Sequence, residues 1–294
     1  MEIRQQRQGL VWVAVGASFW GVDTVLRRPV TAHLSSIQIV LMEHLILLAP
    51  LLPLLWMKRD ECRKLRPGQW AAVIGISWGG SALGSICYTE AVRLGNPTTA
   101  VLLQKTQPFI AALLAWIFLH ETLGRRFWTR LVLAIAAAYL VSFGIDPPGA
   151  RLTGAAASFA IAAASLWAAC TALGRFVLRG IPFVVLTALR IVVAAPLLII
   201  LARFGSARWI PELTGHDWWL LVFMAVFPGM LALLIYYRGL THTRASMAAI
   251  AELCFPATAT ILNWAVLGIR ISPAQVAGFV LLWAVILSWE RPSA

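Results

Sequence analysis

Long apolar runs recur along the whole of this chain, and nothing else restricts its fold so strongly. A helix needs about 20 apolar residues to cross roughly 30 Å of hydrocarbon. Runs of that kind occupy residues 9–26, 36–57, 69–92, 97–118, 127–144, 153–177, 182–203, 217–238, 245–267 and 273–289. Inside lipid a backbone amide has no water to bond, so a span must satisfy its own hydrogen bonds, as a helix does. The composition agrees: 60% of the 294 residues are hydrophobic and 12% charged, against about 25% charged in a soluble domain. Connections are short except for 203–217, which leaves no room for a soluble domain. The expected fold is an all-α polytopic membrane protein with ten transmembrane helices.

A net charge of +12 would suggest nucleic acid in a soluble protein, but these cations lie mostly in short loops between spans. Fifteen Lys and Arg residues fall at the termini and in every second loop, and seven fall on the opposite side. The positive-inside rule then places both termini in the cytoplasm, and an even number of spans requires them to share a side. No nucleic-acid partner is expected. The first run is too long for the h-region of a cleaved signal peptide. Cys62, Cys87, Cys170 and Cys254 are far apart and form no CxxC, so they read as small hydrophobes and not as metal or redox ligands.

The second half of the chain repeats the first. At a constant offset of 148, Tyr88 aligns with Tyr236, Thr98 with Ser246, Gln104 with Glu252, Pro108 with Pro256, Trp116 with Trp264 and Leu119 with Leu267. FWGVDTVLRR at 19–28 resembles LWAACTALGR at 166–175, pairing Trp20 with Trp167 and Thr24 with Thr171, and His44 stands opposite Arg190. Each half has five spans, so the second must enter the membrane inverted. We divide the chain at 1–148 and 149–294. Inverted repeats are a recurrent construction of secondary transporters, with the solute site near the midplane between the halves.

At these residues the chain resembles the drug/metabolite transporter superfamily, specifically its ten-helix members made of two EamA-type repeats. The resemblance rests on the tryptophan-bearing first helix of each half, on QKTQPFIAALLAWIFLHETL, and on its second copy AELCFPATATILNWAVLGIRI. The family's basic residue in the second helix is matched by Arg190, whereas the first half has Glu43-His44 there. Its common "EP" becomes Gln107-Pro108 and Phe255-Pro256. The resemblance implies a bacterial inner-membrane transporter, often an exporter of amino acids or other small metabolites. It also implies a central cavity lined mainly by the first, third and fourth helices of each half.

Ionisable groups within spans are rare, so each is a candidate. Lys105 is expected either to meet a solute carboxylate or phosphate, or to form a structural pair with Glu43 or Glu90. Glu252 suits proton coupling, amine binding or a structural hydrogen bond, and Gln104, its repeat mate, offers both a donor and an acceptor. Glu43 is a second coupling candidate, with Lys105 or Arg190 as partner. His44 and Arg190 read mainly as interhelical groups, and Asp23 as a partner of Arg27 or Arg28. Trp20, Trp78, Tyr88, Trp167 and Tyr236 are deep aromatics suited to apolar or cationic solutes. The small-xxx-small pairs Gly75/Gly79 and Gly80/Gly84 allow close packing of the third helix and give it freedom to bend.

No HExxH or Walker pattern occurs, so enzyme chemistry has little support. No cofactor and no metal are expected; the partners are a small-molecule solute and the bilayer, with protons and a monomer or homodimer left open. The sequence is read as a secondary active transporter of a small, amino-acid-like metabolite, exported by alternating access. The alternative is an uncoupled facilitator or exchanger of a drug-like, phosphorylated or sugar solute, ahead of an intramembrane enzyme or scaffold.

Overall fold

The computed structural model describes residues 2–94, 103–145, 154–205, 209–267 and 271–288. Every span found in the sequence has a helix among them. In chain order these are α1 (Glu2–Val30), α2 (Ser36–Met57), α3 (Pro67–Leu94), α4 (Gln107–Leu119) and α5 (Arg125–Phe143). The second half supplies α6 (Gly154–Val177), α7 (Phe183–Gly205) and α8 (Gly215–Leu240). It continues with α9 in three pieces (Ala245–Ala251, Glu252–Cys254 and Phe255–Leu267) and ends with α10 (Pro273–Leu287). Eight of these are long and apolar enough to cross a membrane; α4 and α10 are shorter apolar helices. A one-turn helix, Arg59–Arg63, lies between α2 and α3.

Local chemistry sets the ends. Three helices open with a reciprocal capping box: Ser35 with Gln38 at α2, Thr214 with Asp217 at α8, and Ser272 with Gln275 at α10. Each box satisfies two backbone donors that a helix start leaves orphaned. At α9 the cap comes from elsewhere: Glu121 accepts from the backbone N–H groups of Ala245 at 2.8 Å and Ser246 at 3.2 Å, and from the Ser246 hydroxyl.

The fourth span of each half is not a continuous helix. Residues 103–104 are helical, 105–106 form a turn, and α4 restarts at Gln107. The counterpart in α9 is the 3-10 piece Glu252–Cys254. Proline explains both, because Pro108 and Pro256 have no N–H to give the carbonyls four residues earlier. Those carbonyls belong to Gln104 and Glu252; the latter accepts from the Phe255 amide instead. The start of the expected 97–118 span, with Thr98, lies outside the described residues, as do the side chains of Thr24, Arg28 and Trp264.

The third helix of each half widens to a π-helix, at Gly75–Gly84 in α3 and Ala225–Leu231 in α8. Helix contacts come in mated pairs. α1 packs on α8 and α9, as α6 packs on α3 and α4, while α2 packs on α7 and α5 on α10. The outward surface carries exposed Trp56, Phe118, Val132 and Val280, an apolar face suited to lipid.

Candidate solute site between the two halves

The packing of α1 on α8 and of α3 on α6 leaves a cavity between the halves, lined from α1 to α4 and from α6 to α9. Its walls are two aromatic pairs that exchange helices between the halves. The ring of Trp20 (α1) lies 5.1 Å from that of Tyr236 (α8), and Tyr88 (α3) lies 5.4 Å from Trp167 (α6), tilted by 44° and 50°. These are repeat mates, so the pairing is made twice. The Trp167 indole N–H is also used: it donates to the Gly80 carbonyl at 2.9 Å, within the π-helix of α3. A Cβ on Gly80 would meet Cys170 Sγ at 2.3 Å, so only glycine allows α3 and α6 this close.

On one wall Arg27 is held by two carboxylates. Its Nε and Nη2 donate to Asp23 at 2.6 and 2.8 Å, Nη2 also to Glu43 at 2.7 Å, and Nη1 to Thr89 at 3.1 Å. Residues 20, 23 and 27 share one face of α1, so Trp20, Asp23 and Arg27 reach the cavity together. The pairing of Asp23 with Arg27 was expected. The partners expected for Glu43, Lys105 and Arg190, are replaced by Arg27, 16 residues away in sequence on the preceding helix.

Glu252 is held on both oxygens. Oε1 accepts from Tyr236 at 2.6 Å and Thr171 at 3.1 Å, and Oε2 accepts from Gln107 Nε2 at 2.5 Å. Three helices therefore converge on one carboxylate, one of them from the other half.

Other polar lining groups are less fully used. Arg190 donates from Nε to Ser81 at 2.7 Å and from Nη1 to Tyr237 at 2.8 Å, but no carboxylate pairs with it among the described residues. His44 Nδ1 bonds the Val40 carbonyl at 2.8 Å, and its buried Nε2 has no partner among the described residues. The Gln104 side chain lines the cavity and is buried.

Two sequence candidates lie elsewhere. Lys105 is buried, yet its Nζ turns to α5, donating to the Ala138 carbonyl and the Ser142 hydroxyl, both at 2.8 Å. Neither carboxylate expected for it is used: Glu90 binds Arg93 and Ser36. Trp78 is 44% exposed and donates to the Val193 carbonyl at 3.1 Å, so it belongs to the outer face. In the sequence Gln107 and Thr171 are named only for the family and repeat patterns, not as site candidates. Gln107 stands three residues after Gln104, and Thr171 four after Trp167, so helical spacing from the named residues would have reached both.

The EamA-like transporter family model matches residues 7–143 and 154–288. The chain is 28% identical over 284 residues to "Riboflavin transporter ImpX" of Fusobacterium nucleatum subsp. nucleatum, covering 94% of this chain and 95% of that protein. It is 23% identical over 280 residues to "Uncharacterized transporter YwfM" of Bacillus subtilis (strain 168), covering 92% and 90%. A solved crystal structure superposes with a TM-score of 0.76 at 18% identity, over 97% of this chain and 98% of that one, which shows the fold. A repeated five-helix pattern, an aromatic-walled cavity between the repeats and a family match to both halves lead to one assignment: the chain is a membrane transporter of the EamA-like transporter family, within the drug/metabolite transporter superfamily.

Proposed function

We propose that this protein is a secondary transporter of a flat, flavin-like heteroaromatic solute, carried by alternating access through the cavity between the two halves. The observation that carries the reading is the double Trp–Tyr wall, Trp20 on Tyr236 and Trp167 on Tyr88. Aromatic faces enclose planar rings, and the cavity adds a few polar groups able to orient one. A relative named as a riboflavin transporter supports that choice over the amino-acid-like solute expected from the sequence. Trp20, Tyr88, Gln104, Trp167 and Glu252 form the proposed contacts. Lys105 and Trp78 are not included, since their side chains leave the cavity.

Glu43 and Glu252 are the proposed sites of proton coupling, being buried carboxylates in the cavity wall. A bacterial inner membrane and a division at 1–148 and 149–294 complete the proposal. The test is flux of riboflavin into proteoliposomes holding the purified chain, with and without an imposed pH gradient. Saturable flux above empty vesicles is expected, as is accumulation when the gradient is applied. Flux equal to that of empty vesicles rejects the solute, and flux without gradient-driven accumulation rejects the coupling.

A further inference from the structure

Most polar groups in the cavity wall are already bonded to protein. Arg27, Asp23 and Glu43 satisfy one another, and Glu252 is taken on both oxygens. What remains identifies what a solute must bring. His44 Nδ1 faces a carbonyl, which only accepts, so the ring proton sits on Nδ1 and the bare Nε2 of the neutral ring is an acceptor. That nitrogen is buried without a partner among the described residues, and an unmet buried acceptor is costly. Arg190 holds its planar fork in place with bonds to Ser81 and Tyr237. Its Nη2 makes no hydrogen bond among the described residues, and no carboxylate there comes within ion-pair distance of the guanidinium. His44 and Arg190 are repeat mates on α2 and α7, which pack together, and both line the cavity.

We infer that Arg190 and His44 read the imide edge of the solute ring, Arg190 donating to a ring carbonyl and His44 Nε2 accepting from the adjacent ring N–H. The inference rests on the flavin-like reading above. A carboxylate would satisfy Arg190 and bring nothing to His44; an amine would satisfy His44 and be repelled by Arg190. A carbonyl beside an N–H serves both, and the Trp–Tyr walls favour having that edge on a flat ring.

The purified full chain is titrated with riboflavin and with N3-methylriboflavin, whose methyl group removes the ring N–H, and binding is read from flavin fluorescence. Wild type is expected to bind riboflavin at least tenfold more tightly, because His44 then loses its donor. His44→Leu should erase that preference, while His44→Gln, which keeps an acceptor, should retain part of it. Arg190→Gln should weaken both flavins about tenfold and leave their ratio unchanged. Riboflavin binding with no discrimination by wild type overturns the assignment alone, with no variant needed. So does a preference that persists in His44→Leu. No riboflavin binding by wild type overturns the flavin reading and this assignment with it.

Discussion

Gln107 Nε2 donates to Glu252 Oε2 at 2.5 Å, joining the fourth helix of one half to the fourth helix of the other. Each residue stands at its own helix's proline break. They are not repeat mates, since Glu252 corresponds to Gln104 and Gln107 to Phe255. The two-fold pattern is therefore broken at the centre of the cavity, where one half supplies an amide and the other a carboxylate.

Glu252→Gln keeps the shape but replaces one acceptor oxygen with an NH2 group facing hydroxyl or amide donors. Leaving one buried group unmet costs about 1–3 kcal/mol. Riboflavin flux in proteoliposomes should fall about tenfold or more, with a lower midpoint of thermal unfolding. Flux within twofold of wild type would remove Glu252 from the site.

Arg27 separates two carboxylates, Glu43 buried and Asp23 partly buried. Arg27→Leu leaves Asp23 and Glu43 unpaired beside each other, and breaking a buried pair in this way costs about 3–5 kcal/mol. Arg27→Leu combined with Asp23→Leu and Glu43→Leu should unfold closer to wild type than the single variant does. Equal melting of the single and triple variants would argue against a compensating charge cluster.

Lys105→Met should leave flavin affinity unchanged, because among the described residues Lys105 Nζ donates only to Ala138 and Ser142 on α5. Replacing a buried ionisable side chain with an apolar one of similar volume is often neutral or stabilising. A tenfold loss of riboflavin binding in a variant that melts like wild type would restore Lys105 to the cavity.

Cys62 tests the orientation. It lies in the helix Arg59–Arg63, in a loop that the charge asymmetry places in the cytoplasm. In a variant lacking the other three cysteines, a membrane-impermeant maleimide should label Cys62 in inverted vesicles and not in intact cells. Partial burial pushes this thiol up from its ordinary value. The reactive species is the thiolate, so labelling should quicken as the pH is raised through the alkaline range. Labelling in intact cells would reverse the topology.

Hydropathy located the helices well, because a span's length is imposed by the bilayer: the run 36–57 became Ser36–Met57. The repeat offset also carried forward, since Trp20–Tyr236 and Tyr88–Trp167 join residues already aligned in sequence. Directions of side chains were harder to read. Gln104 and Lys105 are adjacent, so a helix sends them about 100° apart, and only packing decides which one reaches the cavity. The Arg27–Glu43 bond was equally hidden, because it depends on how α1 and α2 meet across a loop. The π-helices left one trace, the glycines at 75–84, since hydropathy does not report hydrogen-bond register.

Those π-helices have a mechanical consequence. A π turn holds about one residue more than an α turn, so α3 and α8 each store a spare residue midway along their length. If the backbone amides bordering the wide segment exchange i→i+5 bonds for i→i+4 bonds, that spare residue moves along the helix while every carbonyl keeps a donor. Such a shift would re-aim the side chains it passes by about 100° each. Tyr88 and Tyr236 stand just beyond the wide segments, so each aromatic wall is mounted on a bearing that can turn without uncoupling the rod that carries it.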